Sequence, residues 1–222
     1  MRLYHLLGSQ HALDDIRKRR IKISLIPDLN DPFELHGIPL PTRKHRTVWR
    51  RFVRGVGNHS GVLCFTRKWD NPVLWSHYAD KHRGVCLGFD VPSELSAGVR
   101  YRDAMLPFSL NLNHPSGGLG EDEMQEILFT KYSGWRYEDE MRVAVRLTDP
   151  EPVQDSTSPI FFASFGPELR LREVIVGVRS SLTKAEVEDA LQSDLKNVDV
   201  IKARLAFKSF RVIRNKMGFG NS

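Results

Sequence analysis

Residues 61–90, GVLCFTRKWDNPVLWSHYADKHRGVCLGFD, constrain the fold of this chain more than any other stretch. Two short apolar runs rich in strand formers, GVLCFT and GVCLGFD, each open on a glycine and bracket a polar, aromatic middle. That pattern predicts strand, helix, strand. Asn71 is suited to N-cap the helix, and Pro72 falls at its first position, where a missing N–H costs little. A spacing of four puts Leu74 and Tyr78 on one face and Trp75 and Ala79 on the adjacent stripe, with His77 elsewhere. Leu74, Trp75 and Tyr78 are either core, the commoner use of such a stripe, or the wall of a site whose other groups lie elsewhere in the chain.

The N-terminal part repeats the theme. Residues 3–7 read as a strand carrying Tyr4 and His5, Ser9 as the cap of a helix over 11–18 with Leu13 and Ile16 inward, and 21–26 as a second strand with Ile21, Ile23 and Leu25 inward against Lys22 and Ser24. Pro27 stops it. The turn-forming loop DLNDPFEL follows, with Asn30, Asp31 and Pro32 in a row and Phe33 and Glu34 as an apolar anchor and a charge that hold it in one conformation. Thr42 caps a basic helix through Arg54, with Val48, Trp49, Phe52 and Val53 buried and Gly55 or Gly57 ending it.

Beyond residue 90 the signals are mixed. Residues 99–101 form a short strand, 105–120 a long loop of the kind that serves as a lid, and 121–132 a helix with Met124, Ile127, Leu128 and Tyr132 inward. The run WRYEDEMRVAVRL, 135–147, alternates as a strand: Met141, Val143 and Val145 on one face, Glu138, Glu140, Arg142 and Ala144 on the other. Its charged face is either an exposed salt-bridged surface, the commoner case, or the lining of a cleft. A polar connector spans 149–159. IFFASF and EVIVGV add strands, Thr183 and Glu186 form a capping box for a helix to about residue 195, and VDVIKARLAF with SFRVI closes the chain as one or two strands. Eight to ten strands with four or five helices, out of regular alternation, predict an α+β fold of mixed, mainly antiparallel sheets.

The chain has 222 residues, 41% of them hydrophobic, enough to bury a sizeable core, so one globular domain over 1–222, with or without a small appendage, is expected. No apolar run approaches the ~20 residues that cross a bilayer, and the N-terminus lacks a secretory signal, so no membrane and a cytoplasmic location are the expectation. Cys64 and Cys86 sit in the two apolar runs as small buried side chains, outside any metal spacing. The formal charge of +6 is concentrated in residues 1–54 and after Asp199. Such surfaces favour a nucleotide or nucleic acid, although a plain solvated face is the commoner use.

LYHLL, LNDPFE, LCFT, NPVLWSHYADKHRGVCLGFD, the W-x-YEDE-x-R run and VIVG together resemble a widespread bacterial domain family of unknown function, over residues 3–177. More distantly, the chain is similar to ADP-ribosyltransferases of the H-Y-E type, the DarT-like and RNA 2′-phosphotransferase-like enzymes. That resemblance implies NAD as substrate, a role in a toxin or defence effector, and His5, Tyr78, Glu138 and Glu140 as catalytic residues, with His5 anchoring the ribose and Glu140 the main carboxylate. It further implies an NAD-binding set of Tyr4, Ser24, Asn30, Asp31, Phe33, Trp75, Lys131 and Arg142. The chain departs from the pattern in placing its tyrosine inside the helix rather than at a strand end, which leaves Phe65 or Thr66 as alternatives for that place. Two other readings stand beside it: a non-catalytic nucleic-acid or nucleotide-binding module carried by the basic helices, and a nuclease with Asp31, Glu34, Glu138 and Glu140 as a metal-binding cluster.

Overall fold

A computed structural model describes residues 1–114, 117–148, 160–192, 195 and 197–219. The predicted connector 149–159 lies outside the described residues. The first half of the chain forms β1 (Arg2–Leu7), α1 (Ser9–Arg17), β2 (Arg20–Lys22), β3 (Ser24–Leu25), α2 (Arg43–Gly57), β4 (Ser60–Thr66), α3 (Pro72–Tyr78) and β5 (Val85–Asp90). The second half adds β6 (Ala97–Gly98), β7 (Arg100–Arg102), α4 (Glu121–Leu128), β8 (Thr130–Tyr132), β9 (Glu140–Arg146) and β10 (Phe162–Ser164). It ends with β11 (Arg170–Val176), α5 (Lys184–Leu191), β12 (Asp199–Leu205) and β13 (Val212–Arg214).

The class is α+β. A nine-stranded sheet runs in the order β13-β12-β11-β5-β1-β4-β9-β6, with β3 also paired to β4. Its pairings are antiparallel except β11 with β12, the two strands that α5 connects. Alternation along β5 sets the two faces. Val85, Leu87 and Phe89 pack into a core with Ala12 and Ile16 of α1 and Val187 and Leu191 of α5, while Cys86 packs with Trp75 of α3 and Ala79, the residue that caps its C-terminus. A separate core joins Trp49 of α2 and Ile127 to Leu35, Ile38 and the loop residues Leu106 and Leu110.

The local signals hold where they are strongest. Thr42 accepts from the His45 N–H, Asn71 accepts from the Val73 N–H, and Thr183 and Glu186 form the reciprocal capping box. Helix α5 ends at Leu191, short of the expected 195. At α1 the cap is Gly8, and Ser9 is already inside the helix.

Three expectations fail for tertiary reasons. Residues 21–26 form two strands serving two sheets, β2 pairing with β10 and β3 with β4, after which Ile26–Asp28 turns into a 3-10 helix. The expected helix over 121–132 stops at Leu128, because Thr130–Tyr132 pairs in parallel with β7, and Tyr132 is exposed. Residues 135–138 belong to a 3-10 helix, Ser133–Glu138. Asp139 then adopts a left-handed conformation (φ 44°) before β9 begins, a geometry that aspartate tolerates better than most residues.

Candidate active site

The site begins as a split in the sheet. β1 pairs with β5 along all six of its residues, from Arg2↔Asp90 to Leu7↔Val85. With β4 it pairs only at Tyr4↔Thr66. Past that pair the two strands separate, and the His5 ring bridges them, its Nδ1 lying 3.0 Å from the Cys64 carbonyl oxygen. A carbonyl only accepts, so Nδ1 carries the proton and Nε2 keeps its lone pair. Burial lowers the His5 pKa, outweighing that hydrogen bond, which keeps the ring neutral at pH 7.

The cavity has a volume of about 170 Å³. β1 supplies Tyr4, His5 and Leu6; β4 supplies Cys64, Phe65 and Thr66; α3 supplies Leu74 and Tyr78. Ser24, Asp28, Leu29, Asn30 and Glu34 close one side, and Lys131, Glu138, Glu140 and Arg142 close another.

A buried ion cluster forms the polar wall. The Lys131 ammonium lies 2.7 Å from Glu138, 3.1 Å from Glu34 and 3.3 Å from Glu140. Arg142 donates from Nε to Glu140 at 2.8 Å, from Nη2 to Glu34 at 2.7 Å and from Nη1 to the Leu128 carbonyl at 2.6 Å. All five side chains are nearly sealed from solvent. Charges in such a setting persist only when paired and hydrogen-bonded. Burial works against the Lys131 charge, but the carboxylates of Glu140, Glu34 and Glu138 raise its pKa well above the ordinary value.

The two glutamates flanking Asp139 are driven in opposite directions. Burial pushes Glu138 up, and Lys131 and the Tyr78 hydroxyl offset this only in part. Burial also opposes ionisation of Glu140, but Arg142 and Lys131 outweigh it and hold that carboxyl below its usual range. The Tyr78 hydroxyl donates to Glu138; burial and that carboxylate raise its pKa, so it remains a phenol. Tyr101 accepts from the Glu140 N–H at 2.9 Å, and its own hydroxyl is pushed up to about 12, chiefly by burial.

Of the residues expected from the sequence, Tyr4, His5, Ser24, Asn30, Tyr78, Lys131, Glu138, Glu140 and Arg142 meet at this cavity. Three do not line it. Asp31 is spent on its own turn, accepting from the Phe33 N–H at 2.9 Å. Phe33 is 64% exposed and belongs to no hydrophobic core among the described residues. Trp75 is fully buried on the far side of α3, where its Nε1 donates to the Trp69 carbonyl at 2.6 Å and its ring stacks on His82. Leu74 takes the cavity-facing place on that helix. The departure at the tyrosine is answered in part: Tyr78, Phe65 and Thr66 all line the cavity.

In the sequence Cys64 reads only as core and Tyr101 only as part of a strand, yet alternation along GVLCFT puts Cys64 on the same face as Thr66. Glu34, expected only as an anchoring charge or a metal ligand, is a cluster member. With Lys131 and Arg142 bound to Glu34, Glu138 and Glu140, and Asp31 turned to its own backbone, the carboxylates proposed for a nuclease do not form an open ligand set. No group of three or more His, Cys, Asp or Glu is arranged to hold a metal ion among the described residues. Also among the described residues, no helix is long and apolar enough to cross a membrane. Comparison with protein-family models, curated proteins and solved structures finds no match for this chain.

Proposed function

We propose that the cavity cleaves the N-glycosidic bond of NAD and passes the ADP-ribosyl group to an acceptor or to water. The observation that carries this reading is convergence: His5 of β1, Tyr78 of α3, and Glu138 and Glu140 at the entry to β9 line one cavity, in the chain order that the H-Y-E resemblance implies. NAD is the substrate. A cavity of about 170 Å³ suits its nicotinamide and adjoining ribose, with the rest of the dinucleotide at the mouth.

The chemistry follows from the charges. The C1′–N bond breaks with its electron pair leaving on nicotinamide, and positive character builds on the ribose. Three carboxylates against two cations leave one net negative charge in the ion cluster, held in a site sealed from water where electrostatic stabilisation is strong. Glu140, kept ionised, faces the developing charge. Glu138, pushed the other way, takes the proton of the acceptor as the acceptor's lone pair bonds to C1′; carboxylates with opposed environments commonly divide such roles. The free Nε2 of His5 accepts from a ribose hydroxyl and fixes the sugar.

The test is incubation of the purified protein with NAD labelled in the adenylate, with protein and nucleic-acid acceptors present. Nicotinamide release is expected, lowered roughly 100-fold or more by Glu140→Gln or Glu138→Gln. Absence of nicotinamide release, of label transfer and of calorimetric NAD binding together would overturn the reading.

A further inference from the structure

We propose that the C-terminal hairpin is a docking surface for single-stranded nucleic acid. β12 and β13 are joined through a turn closed by the Ala206 N–H donating to the Arg211 carbonyl at 2.9 Å, which leaves Phe207 and Phe210 at the tip. Phe207 is 90% exposed and Phe210 98%. Side chains of this size that project so far bury nothing within the fold, and such exposure marks a contact surface.

The charge around them selects the partner. After Asp199 the chain carries six cations and no acid. Lys202 is tied to the carbonyls of Gly177 and Ser180, and Arg211 pairs with Asp70 at 3.2 Å. Lys208, Arg214 and Lys216 are exposed and make no ion pair among the described residues. The Arg204 guanidinium already lies over the Phe207 ring, 4.8 Å from its centroid. The tip thus offers π faces set in positive charge.

The charge also continues away from the tip. Arg214 shares a surface groove with Lys68, the half-buried Trp69, Asp70, which Arg211 neutralises, and Tyr4, the last of which also lines the cavity. A line of aromatic and cationic groups fits a flexible chain of phosphates whose every base has a stackable face. A bilayer would engage the tip alone. The basic face of α2 has the charge, but its aromatics Trp49 and Phe52 pack inward. This surface stands whether or not the cavity cleaves NAD.

The test measures anisotropy of a fluorescent 15-nucleotide single strand and its duplex across a salt series, with vesicle sedimentation and size-exclusion light scattering alongside. Stacking contributes a factor of roughly 5 to 150 per base. Phe207→Ala with Phe210→Ala should therefore weaken single-strand binding at least 10-fold with the circular dichroism unchanged. Lys208→Gln with Arg214→Gln should flatten the salt dependence. No binding by the wild-type protein, or an unchanged affinity in the double phenylalanine variant, overturns the proposal. So does loss, in that variant, of anionic-vesicle binding or of self-association while oligonucleotide affinity stays the same.

Discussion

Arg142 of β9 and Glu34 of the loop preceding α2 are 108 residues apart in sequence and meet at 2.7 Å, with the arginine Nη2 donating to Oε1. The other oxygen of Glu34 is buried without a hydrogen-bond partner among the described residues. The contact fastens the turn-rich loop to the sheet beside the cavity, so the ion cluster organises the site mechanically as well as electrically.

Arg142→Met should destabilise the protein by about 3–5 kcal/mol, because it leaves three buried carboxylates sharing the single cation of Lys131. Glu34→Gln keeps an acceptor for Lys131 and Arg142 while removing the net negative charge, and should cost about 1–2 kcal/mol. Urea unfolding at pH 7 distinguishes the two, and equal losses would contradict the arrangement.

The opposed glutamates predict opposed pH dependences of stability. Glu140 titrates lower in the folded state, so its contribution is present above the unfolded carboxylate pKa of about 4.3 and is lost as pH falls through the folded value. Glu138 titrates higher, so its contribution is full below about 4.3 and is lost as pH rises through the folded value. Unfolding midpoints measured from pH 3 to 8 should therefore show Glu140→Gln removing part of the acid-side loss and Glu138→Gln removing part of the loss on the way to neutrality. Parallel curves for the two variants would refute the assignment.

What the sequence made legible was local. Asn71 followed by Pro72, Thr183 followed by Glu186, the apolar run of β5 and the alternating faces of β9 each state their structure within a few residues. Where an element depends on a distant partner, the local pattern misleads: Lys131 reads as the last turn of a helix until β7 is present to pair with it, and Ile21 and Leu25 read as one strand until β10 and β4 divide them. The site divides in the same way. His5, Tyr78, Glu138 and Glu140 could be chosen by residue type and chain order, but Tyr101 reaches Glu140 only through the fold. Trp75 and Tyr78 sit three residues apart on one short helix, and only packing shows that the first turns into the core.

That separation is testable. Trp75→Ala should cost about 3–5 kcal/mol of stability, with NAD turnover per folded molecule unchanged. Tyr78→Phe should cost far less, about 1 kcal/mol for one hydrogen bond. It removes a donor that favours ionised Glu138, so the acid limb of kcat/KM against pH should move to higher pH. An unmoved limb would separate Tyr78 from the proton-accepting role assigned to Glu138.

His5 closes the gap between β1 and β4 with a single hydrogen bond to Cys64, and only one of its nitrogens is committed to that structural contact. His5→Asn can still donate to the carbonyl but shortens the side chain and removes the Nε2 lone pair. Stability should fall by about 1 kcal/mol or less, while KM for NAD rises roughly 10-fold, the loss of one hydrogen bond to the sugar. His5→Leu should lose both contacts: the Cys64 carbonyl is left unsatisfied at a cost of about 1–3 kcal/mol, and the rise in KM persists. A histidine that served only to bridge the strands would show the stability loss in His5→Leu with KM unchanged in both variants, so the pair of measurements separates a positioning role in the fold from contact with substrate.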